Sequence, residues 1–160
     1  MSATAACRLK RPRIIVLEDS HLMSEIVRFL ILGWFLDADV TVFENGDDAW
    51  AELERRAPDL LITDSLHPGM KRDELLRRLA EQNVQYPILL LSGDLGGQAN
   101  LPPKLNLACL SKPFNRDSLW LMLNELVGPC DFTVHTPEAD GQFAPAKTPA
   151  TEAPRPAPNN

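Results

Sequence analysis

Four short apolar runs constrain this chain more than any other feature: Ile14-Ile15-Val16-Leu17, Leu60-Leu61-Ile62, Ile88-Leu89-Leu90-Leu91 and Leu107-Ala108-Cys109-Leu110. Each is too short for a buried helix and is continuous rather than alternating, which is the pattern of a strand covered on both faces. Each also stops abruptly, at Glu18-Asp19-Ser20, Thr63-Asp64-Ser65, Ser92-Gly93 and Ser111-Lys112. Asp39-Val40-Thr41-Val42-Phe43 alternates polar and apolar residues and makes a fifth strand. Five strands separated by helical stretches predict an α/β fold with a doubly wound, five-stranded parallel sheet. Right-handed crossovers then gather the carboxyl ends of the strands on one edge, where open sheets of this kind bind their ligands.

The helices follow from periodicity. From His21 onward, Leu22, Ile26, Leu30 and Trp34 recur at helical spacing, and Met23, Val27 and Ile31 widen the stripe. Gly46 to Arg56 reads as a helix with Ala49, Trp50 and Leu53 inward and Glu52 placed to pair with Arg56. Lys71 to Asn83 carries Leu75, Leu76 and Leu79 on one side. Gly96, Gly97, Pro102 and Pro103 crowd the connection before the last strand, so the fourth helix is expected to be degenerate. Asn115 caps a final helix with Leu119, Met122, Leu123 and Leu126 inward. Residues 1–12 read as a flexible arm and 13–128 as one folded domain. Residues 129–160 hold seven of the fourteen prolines and are expected to be a disordered tail.

Charge narrows the function. A formal net charge of −6 and a pI near 5.0 argue against a nucleic-acid partner, because phosphate backbones are bound through clustered Lys and Arg. The most apolar segment, Phe29 to Leu36, contains Gly33 and is far shorter than the roughly 20 residues of a membrane span. Cys7, Cys109 and Cys130 are an odd number without metal-ligand spacing, and no export signal precedes Glu18. The expectation is a cytoplasmic protein with neither membrane nor nucleic acid as partner.

The chemistry converges on the polar edge. Glu18, Asp19 and Asp64 would repel one another there unless a divalent cation lay between them, and oxygen ligands favour Mg²⁺. Lys112 adds a fixed positive charge and Ser92 a hydroxyl donor, as the oxygens of a phosphoryl group on Asp64 would require. Phosphoryl transfer onto a carboxylate is the reaction this set suggests.

In order, spacing and strand placement, Leu17-Glu18-Asp19-Ser20, Asp64 with Pro68 and Met70, Ser92-Gly93 and Lys112-Pro113-Phe114 resemble the receiver domain of two-component response regulators. The resemblance spans about residues 13–127 and implies a flavodoxin-like fold. It also implies roles. Asp64 would be the phospho-acceptor, Asp19 and Asp64 metal ligands with the Leu66 carbonyl, and Glu18 a partner acting through water. Ser92 would be the switch hydroxyl and Lys112 the phosphate-binding lysine, with a cis bond to Pro113. The implied function is a single-domain response regulator that accepts phosphate from a histidine kinase or phosphotransferase and signals to a downstream protein target. Its only chemistry would be self-phosphorylation and autodephosphorylation. The alternative is a pseudo-receiver that binds partners constitutively.

The chain departs from the family at His67, expected to be an exposed turn residue, at Lys71-Arg72, at Cys109 in the place of the switch aromatic, and at Pro102 to Leu107. The girth of apolar residues on the first helix, Phe29, Ile31, Trp34 and Phe35, suggests a partner surface there, for a kinase or a homodimer.

Overall fold

The computed structural model describes residues 11–93 and 101–127. The expected tail and most of the expected arm lie outside them, as does the first part of the connection in which a degenerate fourth helix is expected. Within that connection, residues 101–106 carry turns and no helix.

Five strands form one parallel sheet: β1 (Arg13–Leu17), β2 (Asp39–Phe43), β3 (Leu60–Asp64), β4 (Ile88–Ser92) and β5 (Leu107–Ser111). Their order is β2-β1-β3-β4-β5, the doubly wound arrangement of flavodoxin-like folds. Three of the four continuous apolar runs became the inner strands, buried at every position, whereas the fourth, Leu107 to Leu110, is not covered on both faces as expected: it forms β5, a half-buried edge like β2. A strand flanked by two others and covered on both faces has no side on which a polar residue meets water, so its sequence cannot alternate.

Among the described residues four helices cover the sheet: α1 (His21–Trp34), α2 (Gly46–Arg55), α3 (Arg72–Glu81) and α4 (Arg116–Val127). Helices α1 and α4 pack on one face, where Val27, Ile31, Trp34, Leu119 and Leu123 meet Ile14, Val16, Ile62 and Leu89. Helices α2 and α3 cover the other, with Ala49, Trp50, Leu53, Leu75, Leu76 and Leu79 against Ile15, Leu17, Leu61 and Ile88. The Trp34 and Trp120 rings lie 5.1 Å apart between α1 and α4, and the Arg116 guanidinium sits 5.8 Å from the Trp34 ring. Asn115 caps α4 as expected: its Oδ1 accepts from the Ser118 amide at 2.8 Å, and its own amide donates to the Ser118 hydroxyl at 3.1 Å.

Three expectations need correction. The inner face of α1 is Ser24, Val27, Ile31 and Trp34, whereas Leu22 and Ile26 point outward. Apolar residues surround this helix almost completely, so spacing alone cannot choose the buried stripe, and a buried serine disguises it. Ser24 is accommodated because its hydroxyl donates to the His21 carbonyl at 2.9 Å. Consequently Ile31, Trp34 and Phe35 are core residues, and of the four proposed surface residues only Phe29 is exposed. Last, Glu52 pairs with Arg55 and Arg13 rather than with Arg56.

Arg13 is the unusual member of the core. It is 6% exposed at the start of β1, with its guanidinium bound to the Glu52 carboxylate and the Arg56 carbonyl and its amide bound to Asp59. These bonds tie the end of α2 and the start of β3 to β1. Replacing Arg13 with Ala leaves partly buried acceptors without donors, so urea unfolding should show a loss of about 2 kcal/mol with an unchanged slope.

Candidate functional site

The register of the sheet sets the site. Leu17 pairs with Thr63, Asp64 with Leu91 and Ser92 with Ser111, so the residues that end the apolar runs reach one edge at nearly one level. The Glu18 amide donates to the Phe43 carbonyl at 3.0 Å, which holds the backbone in strand register one residue past β1. Ser20 caps α1, its side chain accepting from the Met23 amide, so the chain turns immediately after Asp19.

Lys112 reaches this edge from the end of β5. Its Nζ lies 2.8 Å from Glu18 Oε2 and 3.0 Å from Asp64 Oδ2, and so bridges two carboxylates from different strands. The remaining oxygens are also held: Glu18 Oε1 accepts from the Ser20 amide at 3.0 Å and Asp64 Oδ1 from the Ser65 amide at 2.6 Å. Glu18 is only 1% exposed and Asp64 7%, whereas Asp19 is open to solvent. Burial pulls the Lys112 ammonium toward losing its proton, but the bonds and charges of Glu18 and Asp64 outweigh it and hold the proton above the ordinary lysine range. A raised folded value means that the stabilisation is complete below the ordinary lysine range and lost only as pH climbs through the raised value. Lys112 therefore keeps its charge throughout the neutral range.

Oxygens of Glu18, Asp19 and Asp64 all lie within 4.8 Å of one another. Three carboxylates face one ammonium, and a compact, oxygen-only donor set with excess negative charge fits a hard divalent cation. A cleft of about 820 Å³ opens beside them, lined by Asp19, Ser65, Leu66, Lys71, Arg72 and Ser92 among others. Ser92 is buried at the end of β4, and the Leu66 side chain stands out at the lip. The Lys112–Pro113 peptide is cis, as expected. The candidate site residues Glu18, Asp19, Asp64, Leu66, Ser92 and Lys112 all lie along this edge.

His67 is the exception to the sequence reading. It is 5% exposed rather than an exposed turn residue, and its Nε2 is buried without a hydrogen-bond partner among the described residues. The Pro68-Gly69 turn folds back on the β2–α2 connection, where the Gly46 amide donates to the Pro68 carbonyl at 2.8 Å. A side chain on Gly46 would place Cβ 2.3 Å from the Met70 carbonyl and 3.0 Å from the imidazole. Gly69, at φ +76, is equally confined, since a Cβ there would meet Asn45 Oδ1 at 2.2 Å. The paired Asn45-Gly46 and Pro68-Gly69 turns were the available signal for this packing. Cys109 is half-buried on β5, where burial pushes its thiol up against the opposing charge of Arg72.

The response regulator receiver domain family matches residues 14–124. The chain belongs to that family. It is 35% identical over 83 residues to the phosphate regulon transcriptional regulatory protein PhoB of Rhizobium meliloti, covering 51% of this chain and 36% of that regulator. The chain spans between 22% and 36% of the length of the first curated relatives it matches. Among solved structures, a signal receiver domain from Vibrio parahaemolyticus superposes with a TM-score of 0.64 and 25% identity over 73% of this chain and 90% of that one. The receiver domain of the sensor histidine kinase PA1611 from Pseudomonas aeruginosa shares the fold, with a TM-score of 0.62 and 23% identity over 73% of this chain and 98% of that one, and has a magnesium ion coordinated in its active-site cleft. Receiver domains bind Mg²⁺ at their acidic site and serve two-component signalling, in contact with histidine kinases and downstream effectors. Among the described residues no helix is long and apolar enough to cross a membrane.

Replacing Lys112 with Met keeps the stem but strands Glu18, buried with only the Ser20 amide. Urea unfolding at pH 7 should show a loss of about 2 kcal/mol, and adding Glu18→Gln should restore at least half of it.

Proposed function

We propose that this chain is the phospho-accepting module of a two-component pathway, taking a phosphoryl group on Asp64 from a phosphohistidine of a kinase or phosphotransferase and passing the signal on by protein contact. The observation that carries this reading is the Lys112 ammonium within 3.0 Å of Asp64 Oδ2 at an edge where three carboxylates converge. In the transfer, the P–N bond of the donor breaks as an Asp64 oxygen forms the new P–O bond, and the acceptor becomes an acyl phosphate.

Each residue has a defined part. The Ser65 amide holds Asp64 Oδ1 and fixes the carboxylate in place, so little conformational freedom is lost when the donor arrives. Lys112 is within reach of oxygens on the incoming group and exchanges a carboxylate contact for a phosphoryl one. Ser92, at the adjoining strand end, offers its hydroxyl to the same group. Asp19, Asp64 and the Leu66 carbonyl would hold Mg²⁺, with Glu18 acting through water. Mg²⁺ supplies, when bound, positive charge to offset that of the phosphoryl oxygens. The chain is accordingly a signalling domain rather than a turnover enzyme, with a soluble, cytoplasmic setting and no nucleic-acid contact of its own.

One observation favours a muted conformational response. Cys109 stands where the family's switch aromatic would be, so no ring is present to follow Ser92 toward the phosphate. A pseudo-receiver would go further and accept no phosphate at all.

Incubation with acetyl phosphate and Mg²⁺ followed by intact-mass measurement separates the two readings. One added phosphate is expected on the native chain and none on Asp64→Asn; an unmodified native chain refutes the assignment. Mg²⁺ at ten times its Kd should raise the unfolding free energy by about 1.4 kcal/mol. In Asp19→Ala that gain should vanish, because a ligand and the charge that holds the ion are lost together.

A further inference from the structure

A backbone ligand is only as well placed as the loop that carries it, and Mg²⁺ demands near-ideal octahedral geometry at about 2.0–2.1 Å. Asp64 is fixed by the end of β3 and by the Ser65 amide, and Asp19 by the turn that Ser20 makes into α1. Leu66 has no such support of its own. It lies in the 65–71 connection, which is neither strand nor helix, and its side chain is 77% exposed and anchors nothing. The hold of the sheet on this connection ends at Ser65, whose amide donates to the Leu91 carbonyl at 3.0 Å.

Beyond that point the β2–α2 connection takes over. The Gly46 amide donates to the Pro68 carbonyl at 2.8 Å, two residues past Leu66. The His67 ring, immediately after Leu66, packs against Gly46, where a Cβ would lie 3.0 Å from its Cε1 and Nδ1. A Cβ on Gly69 would in turn meet Asn45 Oδ1 at 2.2 Å and Asp47 Oδ2 at 2.7 Å, so the two turns interlock. Met70 then enters the core that α2 and α3 share. The Leu66–His67 peptide is thus strung between two fixed points, Ser65 on the sheet and the His67–Met70 turn on Asn45-Gly46. The imidazole contributes shape to this contact: its Nε2 has no hydrogen-bond partner among the described residues, and its Nδ1 reaches only its own turn, 3.4 Å from the Pro68 carbonyl.

We propose that the Asn45-Gly46 turn is a positioning element for the acceptor site. Through His67 and Pro68 it sets where the Leu66 carbonyl stands, and so how tightly Mg²⁺ is held, without supplying a ligand. This role rests on the reading of Asp19, Asp64 and the Leu66 carbonyl as the Mg²⁺ ligands. Residues that orient ligands in this way change metal affinity roughly 10- to 100-fold when altered.

Mg²⁺ titrations of the full chain followed by amide NMR shifts read this without any phosphoryl donor. Gly46→Ala, whose Cβ would lie 2.3 Å from the Met70 carbonyl, must push the two connections apart and should weaken binding about 10-fold or more. His67→Ala removes the ring and should act in the same direction. His67→Met restores an adaptable apolar side chain and, since Nε2 bonds to nothing, should bind as the parent does. Arg13→Ala lowers stability at the far end of the sheet and should leave Mg²⁺ affinity unchanged, which separates positioning from a general loss of stability. A folded Gly46→Ala or His67→Ala chain with the parent's affinity would overturn the proposal. So would an Arg13→Ala chain weakened to the same degree, or a His67→Met chain no tighter than His67→Ala. If Gly46→Ala does not fold, the two His67 variants decide. A parent that binds no Mg²⁺ removes the ligand assignment and the positioning role together, whereas a parent that binds alongside equally tight loop variants removes the positioning role alone.

Discussion

A single ammonium group makes the acidic edge of this sheet compatible with a folded protein. Glu18 is all but sealed from solvent and Asp64 nearly so, and two carboxylates in that position would repel each other and resist losing their hydration. Lys112 answers both at once, 2.8 Å from one and 3.0 Å from the other. The requirement works backward through the fold. The lysine must come from the strand end beyond β4, the strand must register so that Ser92 and Ser111 are level, and the chain must leave toward α4 without withdrawing the side chain. The same bridge that neutralises the resting site is the contact a phosphoryl group would take over in the proposed transfer, so stability and that proposed chemistry draw on one interaction.

The opposite edge is held by a mirror of this logic. Arg13, buried at a strand start, gathers a carboxylate and a carbonyl from the end of α2 and a side-chain contact to its amide from the start of β3. One basic residue thus fastens each end of the sheet, but with different exposure. The lower one is closed and serves packing. The upper one opens on a cleft where a ligand can compete for its partners.

Much of this was legible in the residues because the inner strands permit so little. Ile14 to Leu17, Leu60 to Ile62 and Ile88 to Leu91 can be continuous only if both faces are covered, and their polar stops then fall on one edge by handedness alone. Asp64, Glu18, Asp19, Ser92 and Lys112 could be placed together before any coordinate. What stayed hidden depended on contacts between loops far apart in sequence. His67 looked like a turn residue because nothing local reveals that Gly46 leaves room for an imidazole. Helix α1 misled for the opposite reason: it offers two plausible apolar stripes, and the true one includes Ser24, whose hydroxyl bond to the helix backbone is invisible in hydropathy. The expectation that Trp34 and Phe35 were surface residues failed because Trp120, on α4, covers both.

Helix α4 lies on the same face as α1, whereas α3, which precedes the outermost inner strand, lies on the other. A sixth parallel strand beyond β5 would therefore need a left-handed crossover through α4, which parallel sheets almost never make. The sheet is topologically finished at β5. Glu125 and Leu126, near the end of α4, line a groove with Asn106 and Leu107 at the start of β5, so the helix delivers the chain to the pole opposite the carboxylates. A partner seated over Asp64 therefore approaches from the pole away from the C-terminal end of α4.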